Sequence, residues 1–505
     1  MSIAMPDPRV RAAGVTKLSK YRPFSVATLR TEVLAGLVVA LALIPEAIAF
    51  SVIAGVDPRV GLFSTVTMAV TIAFAGGRPA MISAATAAVA LVVAPVARDH
   101  GVGYLVATII LAGIIQMALA FAGVAKLTRF IPRSVMTGFV NALAILVFVS
   151  QVPQLLGVPW LVYPLTLVGI LVMVMLPKLT TAVPAPLVVV LLLTAAVVLF
   201  GWRVPDVGDQ GALPNSLPLP GLPHVPLTLG MLKTIAPYAF GAALVGLLES
   251  LMTAKLVDDI TDTPSNKTRE AWGQGMANVI TGIFGGMGGC AVIGQTMMNV
   301  KVAGARTRLS TFLTGAFVLV LVVSLGDVVG RIPMAALVAV MIVVSAATFD
   351  WHSISLNTLK VLPRSEILIM AITVGGTVTT GNLAVGVSLG VLTAVIAFVR
   401  RVAHFTSVEP TSSRGDSEAG TRTYRVHGEL FFASSNDLVH QFDYANDPDD
   451  VVIDMSRAVV WDASSVAALD AIRHKYTSRG KSVRLTGLDN ASLERLGKLS
   501  GLLRI

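Results

Sequence analysis

Apolar segments of helical length recur from Leu34 to about Phe405, and nothing constrains the fold of this chain more. Inside a bilayer every backbone N–H and C=O must be satisfied by the protein itself, so such segments cross as helices. About fourteen can be counted, several of them short or broken by Gly and Pro. Only 13% of residues are charged, where a soluble domain carries roughly a quarter. Residues 1–32 are basic and lack an apolar core, so they read as a cytoplasmic segment and not as a cleaved signal peptide. The single cysteine, Cys290, excludes an internal disulfide. The net charge of +9 fits Lys and Arg concentrated in cytoplasmic loops. No stretch interleaves basic and aromatic residues as a nucleic-acid binder does.

Two acids stand out against this background. Glu46 lies in LAGLVVALALIPEAIAFSVIA (residues 34–54), and Glu249 in APYAFGAALVGLLESLMTAKLV (236–257). A carboxylate at membrane depth costs roughly 2.5 kcal/mol or more, so it faces a cavity and marks a pathway. Their flanks match, ALALIPEAI against ALVGLLESL, placing one acid at the same point of two related halves.

Cations alternate between loops. Arg9, Arg11 and Lys17 precede the first span, Lys126, Arg129 and Arg133 follow the fourth, and Lys267 and Arg269 follow the eighth. Arg306 and Arg308 follow the tenth, and Arg400 and Arg401 the last, so both termini are expected in the cytoplasm. A Pro-rich stretch, Gly201 to Pro226, divides a transmembrane domain (33–405) into repeat one, about 33–201, and repeat two, about 231–405. Seven spans per half would bring the second half in from the opposite face, as an inverted repeat. A second internal match supports this: FAGGRPAMISAATAAV (74–89) against FGGMGGCAVIGQTMMNV (284–300). Each runs Phe, paired glycines, small residues, then a short apolar helix. Gly-interrupted segments at matching places in two halves point to a transporter's binding site.

Beyond the last span, residues 406–421 read as a polar linker and 422–505 as a small soluble α/β domain. Strands are expected in TYRVHGELFFAS, DDVVIDMS and KSVRLTGL, and helices over Asn436–Tyr444, Ser464–Tyr476 and Ser492–Leu499.

PEAIAFSVIAGVDPRVGLFS (45–64) resembles the signature of the first two spans of the SulP anion transporters, solute carrier family 26. GGMGGCAVIGQTMMNV (285–300) resembles that family's tenth-span signature in a bacterial branch. VVIDMSRAVVWDASSVAALD (451–470) looks like the core of a STAS domain. The resemblance covers nearly the whole chain in the right order. It implies an α-helical membrane protein of about fourteen spans in two inverted seven-span repeats, plus a small cytoplasmic α/β STAS domain. Spans one to four and eight to eleven would form a core domain, and spans five to seven and twelve to fourteen a gate domain. It further implies an elevator-like displacement of the core and a small anion held between the half-helices of spans three and ten. A homodimer in the cell inner membrane is implied as well.

In this chain the half-helices would start near Ser83, Ala84, Ala85 and Thr86, and near Ala291, Val292 and Ile293. Unpaired N–H groups at such starts bind anions without a buried cation. Small side chains at 83–86 admit a ligand to the backbone, and Ser83 and Thr86 add hydroxyl donors. The same small residues equally suit tight helix packing. Ionised Glu46 and Glu249 would repel the anion in a medium of low dielectric, and a co-transported proton or sodium ion resolves the conflict. A carboxylic acid removed from water favours its protonated form, so a proton is expected. Glu249 and Thr253 share a helix face, and in sodium-coupled relatives the matching pair helps hold the ion. Here Ile293 stands where those relatives offer a hydroxyl, which weakens the sodium reading. Many relatives carry Gln where Glu46 stands, so Glu46 is the more distinctive coupling residue. Gln295 stands where animal exchangers commonly place arginine, which argues against simple chloride exchange.

Phe50 and Tyr238 read as packing or as aromatic closures of the site, and Cys290 as a small apolar residue. Relatives switched by phosphorylation place Ser or Thr directly after the aspartate of the second STAS loop. Here Asp462 is followed by Ala463, so Ser464 reads as a helix N-cap. The STAS domain would then serve assembly, trafficking or regulation by a cytoplasmic protein partner. The expected function is proton-coupled symport of a small anion, such as the dicarboxylate fumarate. Sodium-coupled bicarbonate or sulfate uptake is the alternative. A nucleobase permease would lack the STAS tail, and a non-transporting membrane scaffold or sensor would not need both broken helices. No metal-ligand spacing, catalytic triad or phosphate loop is present, so neither an enzyme nor a bound metal or cofactor is expected.

Overall fold

The computed structural model describes residues 26–123, 132–179, 184–211, 219–223, 225–226, 228–324, 326–403, 406–411, 420–432 and 434–500. The expected cytoplasmic segment up to residue 25, the loop cations Lys126 and Arg129, and residues 412–419 of the expected linker lie outside the described residues. The chain divides after Val391 into two compact units.

In the first unit, α1 (Val26–Ala54) carries Pro45 inside it. A proline has no N–H to bond the carbonyl four residues back, so the backbone bond to Leu41 is missing next to Glu46. α2 (Pro58–Ala75) opens on a proline, whose missing N–H the first turn leaves unbonded anyway. The chain then forms β1 (Ser83–Ala84) and enters α3 (Ala87–His100) at Thr86, whose hydroxyl accepts from the Val89 amide. α4 (Val102–Phe121), α5 (Arg133–Gln151), α6 (Val162–Leu179) and α7 (Ala185–Phe200) follow. α8 (Leu229–Thr261) is capped by Thr228 and α9 (Lys267–Ile283) by Asn266. After β2 (Cys290–Ala291), α10 (Ile293–Met297) passes into a π turn, Met298–Val302. The unit continues with α11 (Arg308–Ser324), α12 (Gly326–Gly330), α13 (Met334–Thr348), α14 (Leu356–Val361) and α15 (Arg364–Thr380). α16 (Leu383–Ala403) begins in it, and Gly386 and Gly390 of its first turns lie against Thr373 and Thr377 of α15. Among the described residues, seven helices are long and apolar enough to cross a membrane, and α7, α11 and α13 are shorter apolar helices.

The two glycine-broken segments meet. β1 and β2 pair antiparallel, with Ser83 opposite Ala291 and Ala84 opposite Cys290. α3 and α10 therefore leave one short ladder in opposite directions. The breaks differ in length: α3 runs 14 residues, α10 only five before the π turn. That turn is tied down by Asn299, whose amide donates to the Ala80 carbonyl (2.8 Å) and to Ser310 Oγ (2.9 Å).

Helix packing sorts the first unit into two groups. α9 lies along α4 and α2, α11 along α1 and α2, and α8 along α3 and α4. At the α4–α9 crossing, a Cβ on Gly113 would stand 2.5 Å from the Gly275 carbonyl oxygen, and one on Gly275 2.6 Å from that of Gly113. Only bare backbones pack this closely. In the other group α13 packs on α5 and α6, α15 on α5, and α6 on α7. In membership these groups follow the division of helices that the resemblance implies. They touch where α1 meets α7 and α13, and where α3 meets α5.

The second unit holds a four-stranded sheet in the order β3 (Ser407–Thr411), β4 (Thr421–Leu430), β5 (Asp450–Val460), β6 (Ser482–Thr486). β3 is antiparallel to β4, and β4, β5 and β6 are parallel. α17 (Ser435–Leu438), α18 (Ala463–Thr477) and α19 (Asn490–Leu499) complete it. Val426, Ile453, Val460, Val466, Leu469 and Ile472 are buried in one core. Three expectations change. The first residues of the expected linker form β3, because Val408 packs on that core and Pro410 is tolerated at a sheet edge. The helix expected over Asn436–Tyr444 stops at Leu438, and an Asp443 turn follows in which the Asn446 amide donates to the Asp443 carboxylate. Asp462, not Ser464, caps α18: its carboxylate accepts from the Ser465 amide at 2.9 Å and from its hydroxyl at 2.8 Å.

Candidate functional site: a cavity at the seam of two helix groups

A cavity of about 440 Å³ opens where the two groups meet. That is within the range of small-ligand sites. One wall is Glu46 and Phe50 of α1, the start of α3, Glu249 of α8 and residues 292–295. The facing wall is α5, with Phe139 and Leu143, and α13, with Ser345 and Thr348. Among the described residues, no Lys, Arg or His lines it.

Of the predicted residues, Thr86, Val292, Ile293, Glu46 and Glu249 border the cavity. Ser83, Ala84, Ala85 and Ala291 do not: they are fully buried behind it, three of them in the β1–β2 ladder. Ser83 accepts from Gln274 (2.6 Å), and the Ala291 amide donates to Ser250 Oγ (3.0 Å). Helix α3 thus begins one residue after the predicted stretch. Its first amides, Ala87 and Ala88, have no helical carbonyl to bond, and both residues line the cavity. Thr86 as N-cap was the available signal, since an N-cap threonine immediately precedes the first helical residue. Ser345 and Thr348 were legible only as polar breaks in an otherwise apolar helix.

Thr253 lies one turn beyond Glu249, buried and away from the cavity, with its hydroxyl donating to the Glu249 backbone carbonyl at 2.8 Å. Phe50 lines the cavity and Tyr238 does not. Both acids have partners. Gln295 donates its side-chain amide to Glu46. Cys290 donates its thiol to Glu249 Oε2 (Sγ–O 3.0 Å) and lies 3.2 Å from Thr86 Oγ1. Cys290 is therefore a polar link between α8 and α3, and not merely the small apolar residue expected.

A second tier of buried polar contacts fixes the ladder. Asn278 of α9 donates to the Gly289 carbonyl (3.1 Å) and to Gln116 (2.9 Å), and accepts from the Gly289 amide (2.9 Å). Glu270 accepts from the Gly77 and Arg78 amides at 2.7 and 2.9 Å, holding the turn before β1.

A membrane-transport bundle, with its cavity between two helix groups and beside paired helix breaks, is the class that this fold and site define. The chain belongs to the Sulfate permease family, which it matches over residues 29–164 and 158–373, and residues 416–505 match the STAS domain. The Bacillus subtilis protein YbaR is 49% identical over 464 residues, covering 92% of this chain and 95% of that one. The transmembrane domain of a cyanobacterial bicarbonate transporter, BicA, superposes with a TM-score of 0.63 at 24% identity, covering 73% of this chain and 97% of that one. The murine Slc26a9 anion transporter of the Solute Carrier 26 family superposes with a TM-score of 0.81 at 17% identity, over 98% of this chain and 92% of that one. Its relatives are transporters, and this chain is a multi-pass membrane transporter of the same fold.

Proposed function

We propose that this protein is a proton-coupled symporter of a small anion. One observation carries the reading: two carboxylates, Glu46 and Glu249, face the same cavity as the open first turn of α3, with no basic side chain beside them among the described residues. Peptide N–H groups and the helix dipole suit an anion. Two ionised carboxylates would oppose it, so a proton entering with the anion removes the repulsion. Sodium is the less fitting cation, because the buried Thr253 hydroxyl does not line the cavity and the Ile293 side chain supplies no oxygen ligand. The cargo class is a small inorganic or carboxylate anion, with a dicarboxylate such as fumarate as the first candidate. Bicarbonate and sulfate compete with it, since BicA is named a bicarbonate transporter and the family is named for sulfate.

Movement of the α1–α4 and α8–α11 group against the other helices would carry the cavity across the membrane. The protein would act as a homodimer in the plasma membrane with both termini cytoplasmic. Proteoliposomes with pH and sodium gradients imposed separately test the reading. Uptake should rise with an inward proton gradient and ignore sodium, and Glu46→Gln should uncouple uptake from the proton gradient. Uptake that follows sodium and ignores pH overturns it.

A further inference from the structure

Three side chains from three elements form one hydrogen-bonded line at the cavity wall. Thr86 Oγ1 accepts from the Val89 amide (3.4 Å), Cys290 Sγ lies 3.2 Å from Thr86 Oγ1, and Glu249 Oε2 lies 3.0 Å from Cys290 Sγ. Cys290 is fully buried, whereas Thr86 and Glu249 reach the cavity. A thiol and a hydroxyl each have one proton to give and lone pairs to accept with, but an ionised carboxylate only accepts. The direction of the line is therefore set by Glu249. With Glu249 ionised, the thiol must donate to it, and the Thr86 hydroxyl donates to the sulfur. The Thr86 proton then points away from the cavity.

We propose that protonation of Glu249 reverses this line through Cys290 and turns the Thr86 hydroxyl toward the anion. The incoming proton binds a Glu249 oxygen, and that new O–H donates to Sγ. The thiol then donates to Thr86 Oγ1, which keeps its bond from the Val89 amide and frees its own proton for the cavity. Each heavy atom keeps the hydrogen it had, and only the one proton from solvent is added. Proton and anion thus favour each other's binding at the start of α3, with Cys290 as a positioning residue that does not touch the anion. The inference rests on the proton-symport reading.

Other groups do not set the direction. Among elements packed on α8, α3 has Arg98, Asp99 and His100 only at its far end, on the order of 18 Å along the axis from Thr86. α4 adds only Tyr104, and α9 has Lys267, Arg269 and Glu270 in its first turn, with Glu270 held by Gly77, Arg78 and Gln274. Glu46 lines the same wall of the cavity as Glu249 and is occupied by Gln295.

Cys290 is the chain's one thiol, so its S–H stretch is visible by infrared difference spectroscopy of the full-length protein in liposomes without background. On acidification the band should move to higher frequency, as a carboxylate acceptor is exchanged for a hydroxyl, and Glu249→Gln should abolish the movement. A band that stays fixed through the pH range overturns the inference. Transport gives the second reading, with fumarate, sulfate and bicarbonate each as the probe. In the wild type, acidification should lower KM by roughly tenfold, the worth of one buried hydrogen bond. Cys290→Ala should lose most of that change with kcat little altered, and Cys290→Ser, which keeps a donor and an acceptor, should restore it. Wild-type uptake indifferent to pH sinks the symport reading itself. A wild type that responds to pH beside a Cys290→Ala that responds equally sinks only the relay.

Discussion

Gln295 of α10 donates its side-chain amide to the carboxylate of Glu46 on α1, joining residues 249 apart in sequence at the cavity wall. An amide N–H can be accepted by a carboxylate and equally by the carbonyl oxygen of the neutral acid. The contact therefore survives a change of protonation, as the coupling role proposed for Glu46 would require. Removing the donor leaves a buried acid unpartnered, at about 1–3 kcal/mol. Gln295→Leu should lower stability by that order in thermal unfolding of the solubilised protein. Glu46→Gln, which keeps a hydrogen-bonding partner for Gln295, should unfold close to the wild-type temperature. Equal losses in both variants would mean that the pair is held by packing and not by its hydrogen bond.

Gly289 shows how little slack the paired breaks have. A Cβ there would overlap the Ala84 carbonyl across the ladder, while Asn278 grips the Gly289 backbone from both sides. Gly289→Ala must push β1 and β2 apart, and overpacking of this kind costs about 1–3 kcal/mol or more. Because the starts of α3 and α10 hang on that ladder, uptake should fall by more than stability does. Wild-type transport in Gly289→Ala proteoliposomes would show that the ladder can part freely.

The sequence pattern made some of this legible. Glu46 and Glu249 stood out because an acid in an apolar run demands a cavity, and the glycine breaks stood out because helices cannot pass through them. The exact helix start did not. Ser83, Ala84 and Ala85 look like an open helix end, but Ser83 and Ala84 pair antiparallel with residues 290–291 and the Ala85 amide donates to Thr65 Oγ1, and pairing partners more than 200 residues away leave no local mark. The role of Cys290 was hidden for the same reason, since its polar contacts come from α3 and α8. The facing wall from α5 and α13 depends on how two helix groups abut, which periodicity within one helix does not encode.

Glu32 is another buried acid, with a different task. Its carboxylate accepts from the Arg306 and Thr307 amides at 2.8 and 3.0 Å and from the Ser310 amide at 3.2 Å, closing the start of α11 from the side of α1. Amides at a helix start have no internal acceptor, and a carboxylate there also meets the positive end of the dipole. Charge-assisted bonds contribute about 1.5–3 kcal/mol each at most. Glu32→Ala should therefore destabilise the protein by at least about 2 kcal/mol, the upper end of a lost cap, and Glu32→Gln by less. Thermal unfolding at neutral pH separates the two, and an Ala variant as stable as the wild type would rule the cap out.

Asp447 organises the STAS core in a way that alkali should reveal. It accepts from Tyr424 at 2.9 and 3.0 Å and from Tyr476 at 2.6 Å, with the Tyr444 ring tilted against that of Tyr476. Burial pushes all three phenols above their ordinary value, Tyr444 to about 12, and the bonds to Asp447 push Tyr424 and Tyr476 further the same way. A phenol that ionises near pH 10 when unfolded but later when folded leaves stability untouched below that pH. Above it, the unfolded chain gains by ionising and the fold does not, so stability falls as pH rises. Ultraviolet titration of the full chain, which has seven tyrosines, should show at least three resisting ionisation until the domain unfolds. Tyr476→Phe removes one such phenol and one Asp447 donor, so it should cost about 1–3 kcal/mol at neutral pH and shallow the alkaline decline. All seven phenols titrating together near pH 10 would show that Asp447 does not hold them.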